Sequence, residues 1–123
     1  MKNEKEEVKT ELKRRIYYWV LELIKFVEFL PKDFITQRIA DQLFRSGSSV
    51  GANYIEAQAA SSRKDFANFL HYALKSANES KFWLAVIRDT NRGEKEKTDK
   101  LLGELIQIAN ILGASIVTVK NRR

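Results

Sequence analysis

Four long segments of the chain carry apolar residues at intervals of three and four positions, the spacing of one face of an α-helix. One such face lies in the second segment and consists of Ile39, Leu43, Ser46, Val50, Tyr54 and Ala57. The third segment carries Phe66, Phe69, Leu70, Ala73, Ala77, Ser80, Leu84 and Ile87. Both patterns predict amphipathic helices with one face in a core.

The first and last segments follow the same rule. The first carries Val8, Leu12, Ile16, Trp19, Leu23, Phe26 and Leu30. The last carries Thr98, Leu101, Leu105, Ile108, Leu112, Ser115 and Val119, and Leu102, Ile106, Ala109 and Ile116 widen its apolar face. The chain is therefore predicted to be all-α.

Local signals set the ends of these helices. Pro31 cannot continue a helix, and Ser62 with Asp65 forms a capping box at the start of the third helix, as Asn3 with Glu6 does for the first. Gly93 is expected to supply the left-handed residue after the third helix. These signals predict helices at 4–30, 34–60, 63–91 and 96–120, joined by short connections into one antiparallel up-down-up-down four-helix bundle spanning residues 1–123.

Two glycines lie inside the second helix. Gly47 and Gly51 each cost about 0.5–1 kcal/mol relative to alanine in a helix interior. The helical periodicity continues through both positions, which favours close approach of a neighbouring helix over a local kink. No strand precedes them, so they do not form a phosphate-binding glycine loop.

Several large apolar side chains fall outside the predicted core faces. Phe44, Ile55, Tyr72, Phe82 and Trp83 are left over after one core is filled. Tyr17 and Tyr18 broaden the first helix in the same way, although tyrosine at a rim is common. Because soluble monomers rarely expose so much apolar surface, these five residues predict a subunit interface in a homo-oligomer, with cyclic symmetry if unlike surfaces meet.

Composition limits the chemistry and the cellular location that we expect, without identifying a function. The 123 residues include no cysteine, which excludes disulfides and thiol chemistry. We expect no apolar run that approaches the roughly 20 residues of a membrane span, and the charged N-terminus lacks the apolar region of a signal peptide. We therefore expect a soluble, cytoplasmic protein without membrane partners.

Residues suited to catalysis or metal binding are sparse. His71 is the sole histidine, and Asn68 stands where a di-iron bundle would need a glutamate three residues before it. Glu56 and Glu79 lie beside core faces, where a buried polar network or an interface salt bridge is favoured over acid–base catalysis. We expect no catalytic residue, no metal, no cofactor and no small-molecule substrate, and therefore no enzyme.

The basic residues are unevenly distributed along the bundle. The net charge is +6, and in the predicted topology residues 1–9, 60–66 and 117–123 share one end that holds +4 of it. The opposite end, residues 25–33 and 88–100, carries +1. The candidate nucleic-acid-binding residues at the basic end are Arg63, Lys64, Lys120, Arg122 and Arg123, with Lys2 and Lys5 as helpers. An anion-binding face and an ordinary solvated surface are both consistent with this distribution.

Three stretches resemble a known family: RSGSSVGANYIEA, KDFANFLHYALKSANESKFWL and LLGELIQIANILGASI. They are similar to the bacterial proteins encoded by intervening sequences of 23S ribosomal RNA genes, also grouped as S23-like ribosomal proteins. The resemblance implies a four-helix bundle, assembly into cyclic pentamers and no agreed enzymatic activity. It also implies a relation in shape to the accessory protein of diversity-generating retroelements, which is basic and binds nucleic acid. The two open functions are therefore non-specific RNA or DNA binding and a structural module whose partner is a protein.

Overall fold

A computed structural model describes the backbone of residues 4–122 and the side chains of residues 11–122. It contains four helices: α1 (Glu4–Glu28), α2 (Phe34–Gln58), α3 (Arg63–Asp89) and α4 (Lys95–Lys120). No strand occurs in this part of the chain. The predicted all-α four-helix bundle is confirmed, and every described helix end lies within two residues of its predicted position. The Asn3–Glu6 capping box and the side chain of Val8 lie outside the described residues.

Contacts between helices show how they run. Arg15 and Trp19 of α1 contact Glu104 and Leu101 of α4, so the residue numbers rise along one helix as they fall along the other. The same reversal relates α2 and α3, where Ser46 meets Ser80 and the start of α2 meets Arg92. Each helix packs against its two neighbours in an antiparallel ring.

The predicted apolar faces meet in one continuous core. Leu23, Leu43, Leu84 and Leu105 are fully buried at its centre, one from each helix. Phe66, Phe69, Ile39 and Trp83 are half-buried and pack against the core from its edges. Trp83 therefore contributes less free apolar surface than its position on the helix suggested.

One buried hydrogen bond joins α2 to α3. The Oγ atoms of Ser46 and Ser80 are 2.7 Å apart, and Ser80 Oγ also lies 2.8 Å from the carbonyl oxygen of Ser76. Both serines are buried. Because a buried hydroxyl needs a partner, this contact favours one register between the two helices.

The starts of α2 and α3 are capped by side chains. Ser62 Oγ accepts a hydrogen bond of 3.1 Å from the backbone N–H of Asp65, as the capping signal predicted. Asp33 accepts a similar bond from the N–H of Thr36 at the start of α2, a cap that the sequence analysis did not identify. Hydrogen bonding from Thr36, with a smaller effect from Arg92, lowers the pKa of Asp33 below its ordinary value of 3.8.

The turn between α3 and α4 corrects the expected role of Gly93. Its φ angle is not positive, and the left-handed residue is Asn91, with φ of 56°. Asparagine tolerates this conformation better than most residues. Gly93 is instead required by packing, because a Cβ there would lie 2.9 Å from Phe26 Cζ and 2.9 Å from Thr98 Oγ1.

The two glycines of α2 both face α1, within an unbroken helix. A Cβ at Gly47 would overlap Leu23 Cδ2 and lie 3.2 Å from Trp19 Cη2. A Cβ at Gly51 would lie 3.5 Å from Val20 Cγ2, an ordinary contact distance. Close approach of the helices thus depends far more on Gly47 than on Gly51.

The expectation that no apolar run approaches the length of a membrane span was wrong. By length and composition alone, Lys95–Lys120 is apolar enough to cross a membrane. The core helices of soluble proteins pass the same test, and Leu105, Ile108 and Leu112 of this helix are fully buried inside the bundle. One face of α4 thus lies in the core, but only 28% of its apolar stretch is buried, and Ile106 and Val117 are exposed.

Candidate nucleic-acid interface

The start of α3 and the end of α4 meet at one end of the bundle. The guanidinium of Arg63 donates a hydrogen bond of 2.8 Å to the backbone carbonyl of Arg122. Lys64 follows Arg63 in the first turn of α3, Lys120 ends α4, and all four side chains are exposed. We call Arg63, Lys64, Lys120 and Arg122 the basic end. The other candidates, Arg123, Lys2 and Lys5, lie outside the described side chains.

Ion pairs distinguish the two ends of the bundle. At the opposite end, Arg88 pairs with Asp89, Arg92 with Asp33, Lys95 with Asp99 and Lys97 with Glu94, at 2.8 to 3.5 Å. None of the ion pairs found among residues 11–122 includes a cation of the basic end. Four cations of the opposite end are thus paired with carboxylates, whereas no described cation of the basic end is.

Two pairs of aromatic side chains lie on α3, and in each pair one ring is exposed while the other packs partly buried against the core. The rings of Phe69 and Tyr72 pack edge to face with centroids 5.9 Å apart, and those of Phe82 and Trp83 do so at 4.9 Å. Tyr72 is 50% exposed and Phe82 57% exposed. The indole N–H of Trp83 donates a hydrogen bond of 3.2 Å to the carboxylate of Glu79. We call these four rings the aromatic ridge.

The two apolar candidates on α2 lie elsewhere. Phe44 and Ile55 are each about half exposed. Ile55 lines a groove of about 520 Å³ between α1 and α2, opposite Tyr17 and Tyr18. The apolar pattern of the sequence marks the two tyrosines but not their position beside Ile55, because that position depends on the register between α1 and α2.

A larger groove of about 980 Å³ lies between α1 and α4. Arg15 spans it, donating to the Glu104 carboxylate at 2.6 and 2.9 Å and to Gln107 at 2.8 Å. The hydrogen bond to Glu104 raises the pKa of Arg15. The indole N–H of Trp19 donates to the carbonyl of Leu101 at 2.9 Å. These polar contacts fasten α1 to α4.

The described residues form no cluster typical of a metal site. Within residues 11–122 no three His, Cys, Asp or Glu side chains are placed to hold a metal ion. Glu56 and Glu79 are exposed, which corrects the expectation of a buried polar network. His71 is half-buried. Tyr54 is buried in the core, and its own burial raises the pKa of its hydroxyl to about 12.

Comparison with known proteins identifies a family and structurally similar proteins. Residues 9–114 match the 23S rRNA-intervening sequence protein family. The structure is similar to a crystal structure of a protein of unknown function from the S23 ribosomal protein family of Bacteroides thetaiotaomicron, with a TM-score of 0.80 and 31% sequence identity. The similarity covers 88% of this chain and 96% of that one. No curated protein matches the chain.

Proposed function

The chain belongs to the 23S rRNA-intervening sequence protein family, and we propose that it is a non-enzymatic homo-oligomer that binds RNA or DNA through its basic end without reading sequence. The observation that carries this proposal is the contact between Arg63 and Arg122, which gathers cations from two helices at one place. Phosphate contacts of this kind provide affinity and no sequence information.

The electrostatics of the basic end support the proposal. Arg63 and Lys64 are exposed in the first turn of α3, where the helix dipole adds positive potential. Asp65, the acidic residue of that turn, accepts a hydrogen bond of 3.2 Å from Ser61 Oγ and forms no ion pair with these cations. A phosphate approaching this end meets no salt bridge that must first break among residues 11–122.

Assembly strengthens the same surface. The aromatic ridge leaves Tyr72 and Phe82 about half exposed, and a soluble protein commonly covers such a surface with another subunit. In a cyclic homo-oligomer, which the family resemblance suggests is a pentamer, each subunit adds its basic end to a common rim. The positive potential of the ring then exceeds that of one chain.

The second candidate is a structural module that binds another protein and no nucleic acid. The aromatic ridge favours it, because exposed tyrosine, phenylalanine and tryptophan side chains are typical of protein interfaces. The two candidates share the bundle and the assembly and differ only in the role of the basic end. The relation to the accessory protein of diversity-generating retroelements stays an expectation.

Salt dependence of binding tests the proposal. A fluorescein-labelled RNA and a DNA of unrelated sequence are titrated with the protein at several salt concentrations, with fluorescence anisotropy as the readout. We expect similar affinities for both probes and a logarithm of the affinity that falls linearly with the logarithm of salt, by about 0.7–0.9 for each phosphate contacted. No binding at the lowest salt would favour the protein-partner module.

A further inference from the structure

The groove between α1 and α2 differs from the rest of the surface in its composition. Tyr17 and Tyr18 stand on its α1 side, 60% and 58% exposed, with ring centroids 5.7 Å apart in an edge-to-face arrangement. Ile55, 48% exposed, stands on its α2 side. Two aromatic rings from α1 and an aliphatic side chain from α2 thus line a space of about 520 Å³.

Small residues keep this space open. Gly51 and Ala52 of α2 line the groove, and neither carries a side chain long enough to fill it. A Cβ at Gly51 would meet Val20 and Ile16 only at 3.5 and 3.6 Å, so the packing of α1 against α2 does not itself demand a glycine there. The volume of about 520 Å³ falls within the roughly 300–1,000 Å³ that pockets for small ligands commonly have.

Among residues 11–122, the charged side chains that line the groove are both positive. They are Lys13 and Arg14, which lie at its α1 edge, and no carboxylate of this part of the chain lines it. Both are exposed, and neither joins an ion pair found among residues 11–122, whereas the adjacent Arg15 is held by Glu104. The groove between α1 and α4 differs, since Glu11, Glu22, Glu94, Asp99 and Glu104 line it together with cations. Arg14 and Tyr18 lie at the crest of α1 and border both grooves.

The groove also lies toward the basic end. Ile55 is three residues before the end of α2, about 5 Å along the helix axis. The turn from α2 leads directly to Arg63, the first residue of α3. The α2 side of the groove, Ser48 to Ile55, therefore lies in the half of α2 that ends beside the turn to the basic end.

We propose that the groove between α1 and α2 holds a base of single-stranded nucleic acid, which stacks on Tyr17 or Tyr18 while Lys13 and Arg14 contact the adjoining phosphates. This inference rests on the proposed function and adds a substrate class to it. Aromatic side chains beside a positively charged path are the usual means by which proteins bind single strands without reading sequence. A duplex cannot use the groove, because its bases are already stacked and paired.

The positive lining favours this occupant over a protein. A second subunit could cover the tyrosines and Ile55, yet its surface would also have to neutralise Lys13 and Arg14. A nucleotide presents both a planar apolar face and a negative charge, which suit the two rings and the two cations that line the groove. The protein occupant is therefore an outcome of the test.

The experiment compares single-stranded and duplex probes on the intact protein. Affinities for a labelled oligothymidylate and for a duplex of equal length are measured by fluorescence anisotropy at low salt. We expect Tyr17→Ala/Tyr18→Ala to weaken single-strand binding by about tenfold or more, the range for loss of base stacking, while duplex binding changes by less than about twofold. Tyr17→Phe/Tyr18→Phe keeps the rings and should restore most of the lost affinity.

Two further variants separate the groove from the surface in general. Ala52→Leu fills the groove from α2 without removing a ring or a charge, and it should weaken single-strand binding. Phe29→Ala removes a ring that is 85% exposed but lies outside this groove, and it should leave both affinities unchanged. Ultraviolet crosslinking of the oligothymidylate should label the tryptic peptide 16–25, which contains both tyrosines.

Each alternative gives a different result. If Tyr17→Ala/Tyr18→Ala binds single strands as the wild type does, while Arg63→Glu/Lys64→Glu weakens the binding of both probes, this inference is wrong and the proposed function stands. If Tyr17→Ala/Tyr18→Ala lowers the mass of the oligomer, the groove is a subunit contact and the inference is also wrong. If the wild type binds neither probe at low salt, both the inference and the proposed function fail.

Discussion

The guanidinium of Arg63 lies 2.8 Å from the backbone carbonyl oxygen of Arg122, joining the first residue of α3 to the chain just beyond α4. The bond satisfies a carbonyl near a helix end with a cationic donor, an arrangement that the helix dipole favours. It also holds Lys64 and Lys120 at the same end of the bundle. The positive surface is therefore fixed by the antiparallel fold.

Replacing the two glycines of α2 by alanine should have opposite effects. Gly47→Ala forces a methyl group against Leu23 and Trp19, both buried, and should destabilise the protein by about 1–3 kcal/mol. Gly51→Ala meets only ordinary contacts and gains helix propensity, so it should be neutral or stabilising by up to about 1 kcal/mol. Urea unfolding measures both. Equal effects at the two sites would contradict the close packing at Gly47.

The hydrogen bond between Ser46 and Ser80 should show coupling in a double-mutant cycle. Ser46→Ala or Ser80→Ala alone removes the hydrogen bond between the helices, at a cost of about 0.5–1.5 kcal/mol, because the remaining hydroxyl still bonds to the backbone carbonyl of Leu43 or Ser76. The double variant removes both groups and should cost less than the sum of the two single changes. The free energy of unfolding of all four proteins supplies the test. Strict additivity would mean that the hydroxyls do not interact.

The cap at Asp33 predicts a pH dependence. Because the pKa of this carboxyl is lowered in the folded state, its charge stabilises the fold above the unfolded pKa, and that stabilisation is lost as the pH falls through the folded pKa. Asp33→Asn keeps a capping acceptor but carries no charge. Thermal melts should show the wild type more stable than Asp33→Asn at neutral pH and the difference shrinking below pH 3.8. A constant difference would exclude a charge effect.

The assembly proposal predicts a change of mass. Tyr72→Lys/Phe82→Lys places two charges on the aromatic ridge, where both side chains are about half exposed, so the monomer should still fold. Light scattering after size exclusion should give an oligomer for the wild type and a smaller species for the variant. Val117→Lys is a matched control, since Val117 is 58% exposed on α4. A wild-type monomer at micromolar concentration would refute the assembly.

The sequence was sufficient for the helices because each buries one face. Apolar spacing located Leu23, Leu43, Leu84 and Leu105, and these residues are indeed fully buried. Local hydrogen bonds such as the cap at Ser62 were also predictable, since both partners lie within three residues. The fold therefore follows from periodicity and from short-range signals.

Features that depend on the packing of helices were not predictable from the pattern. The role of Gly93 was misassigned because the approach of Phe26, far away in sequence, decides it. The pairing of Ile55 with Tyr17 and Tyr18 depends on the register of α1 against α2. The basic end was anticipated from topology, but the contact from Arg63 to Arg122 depends on where the residues after α4 lie relative to α3.

The most direct test of nucleic-acid binding at the basic end reverses its charge. Arg63→Glu/Lys64→Glu changes two exposed residues in the first turn of α3, and Lys95→Glu/Lys97→Glu makes the same change in net charge in the first turn of α4 at the opposite end. Comparing the two controls for net charge and for the helix dipole. Light scattering and circular dichroism establish that both variants keep the wild-type mass and helix content.

The deciding measurement is the affinity of wild type and both variants for labelled RNA at low salt, read by fluorescence anisotropy. The account predicts that Arg63→Glu/Lys64→Glu weakens binding by about tenfold or more and lowers the salt slope, because phosphate contacts are lost. Lys95→Glu/Lys97→Glu should have a much smaller effect. Equal loss in the two variants, or no loss in either, would contradict binding at the basic end.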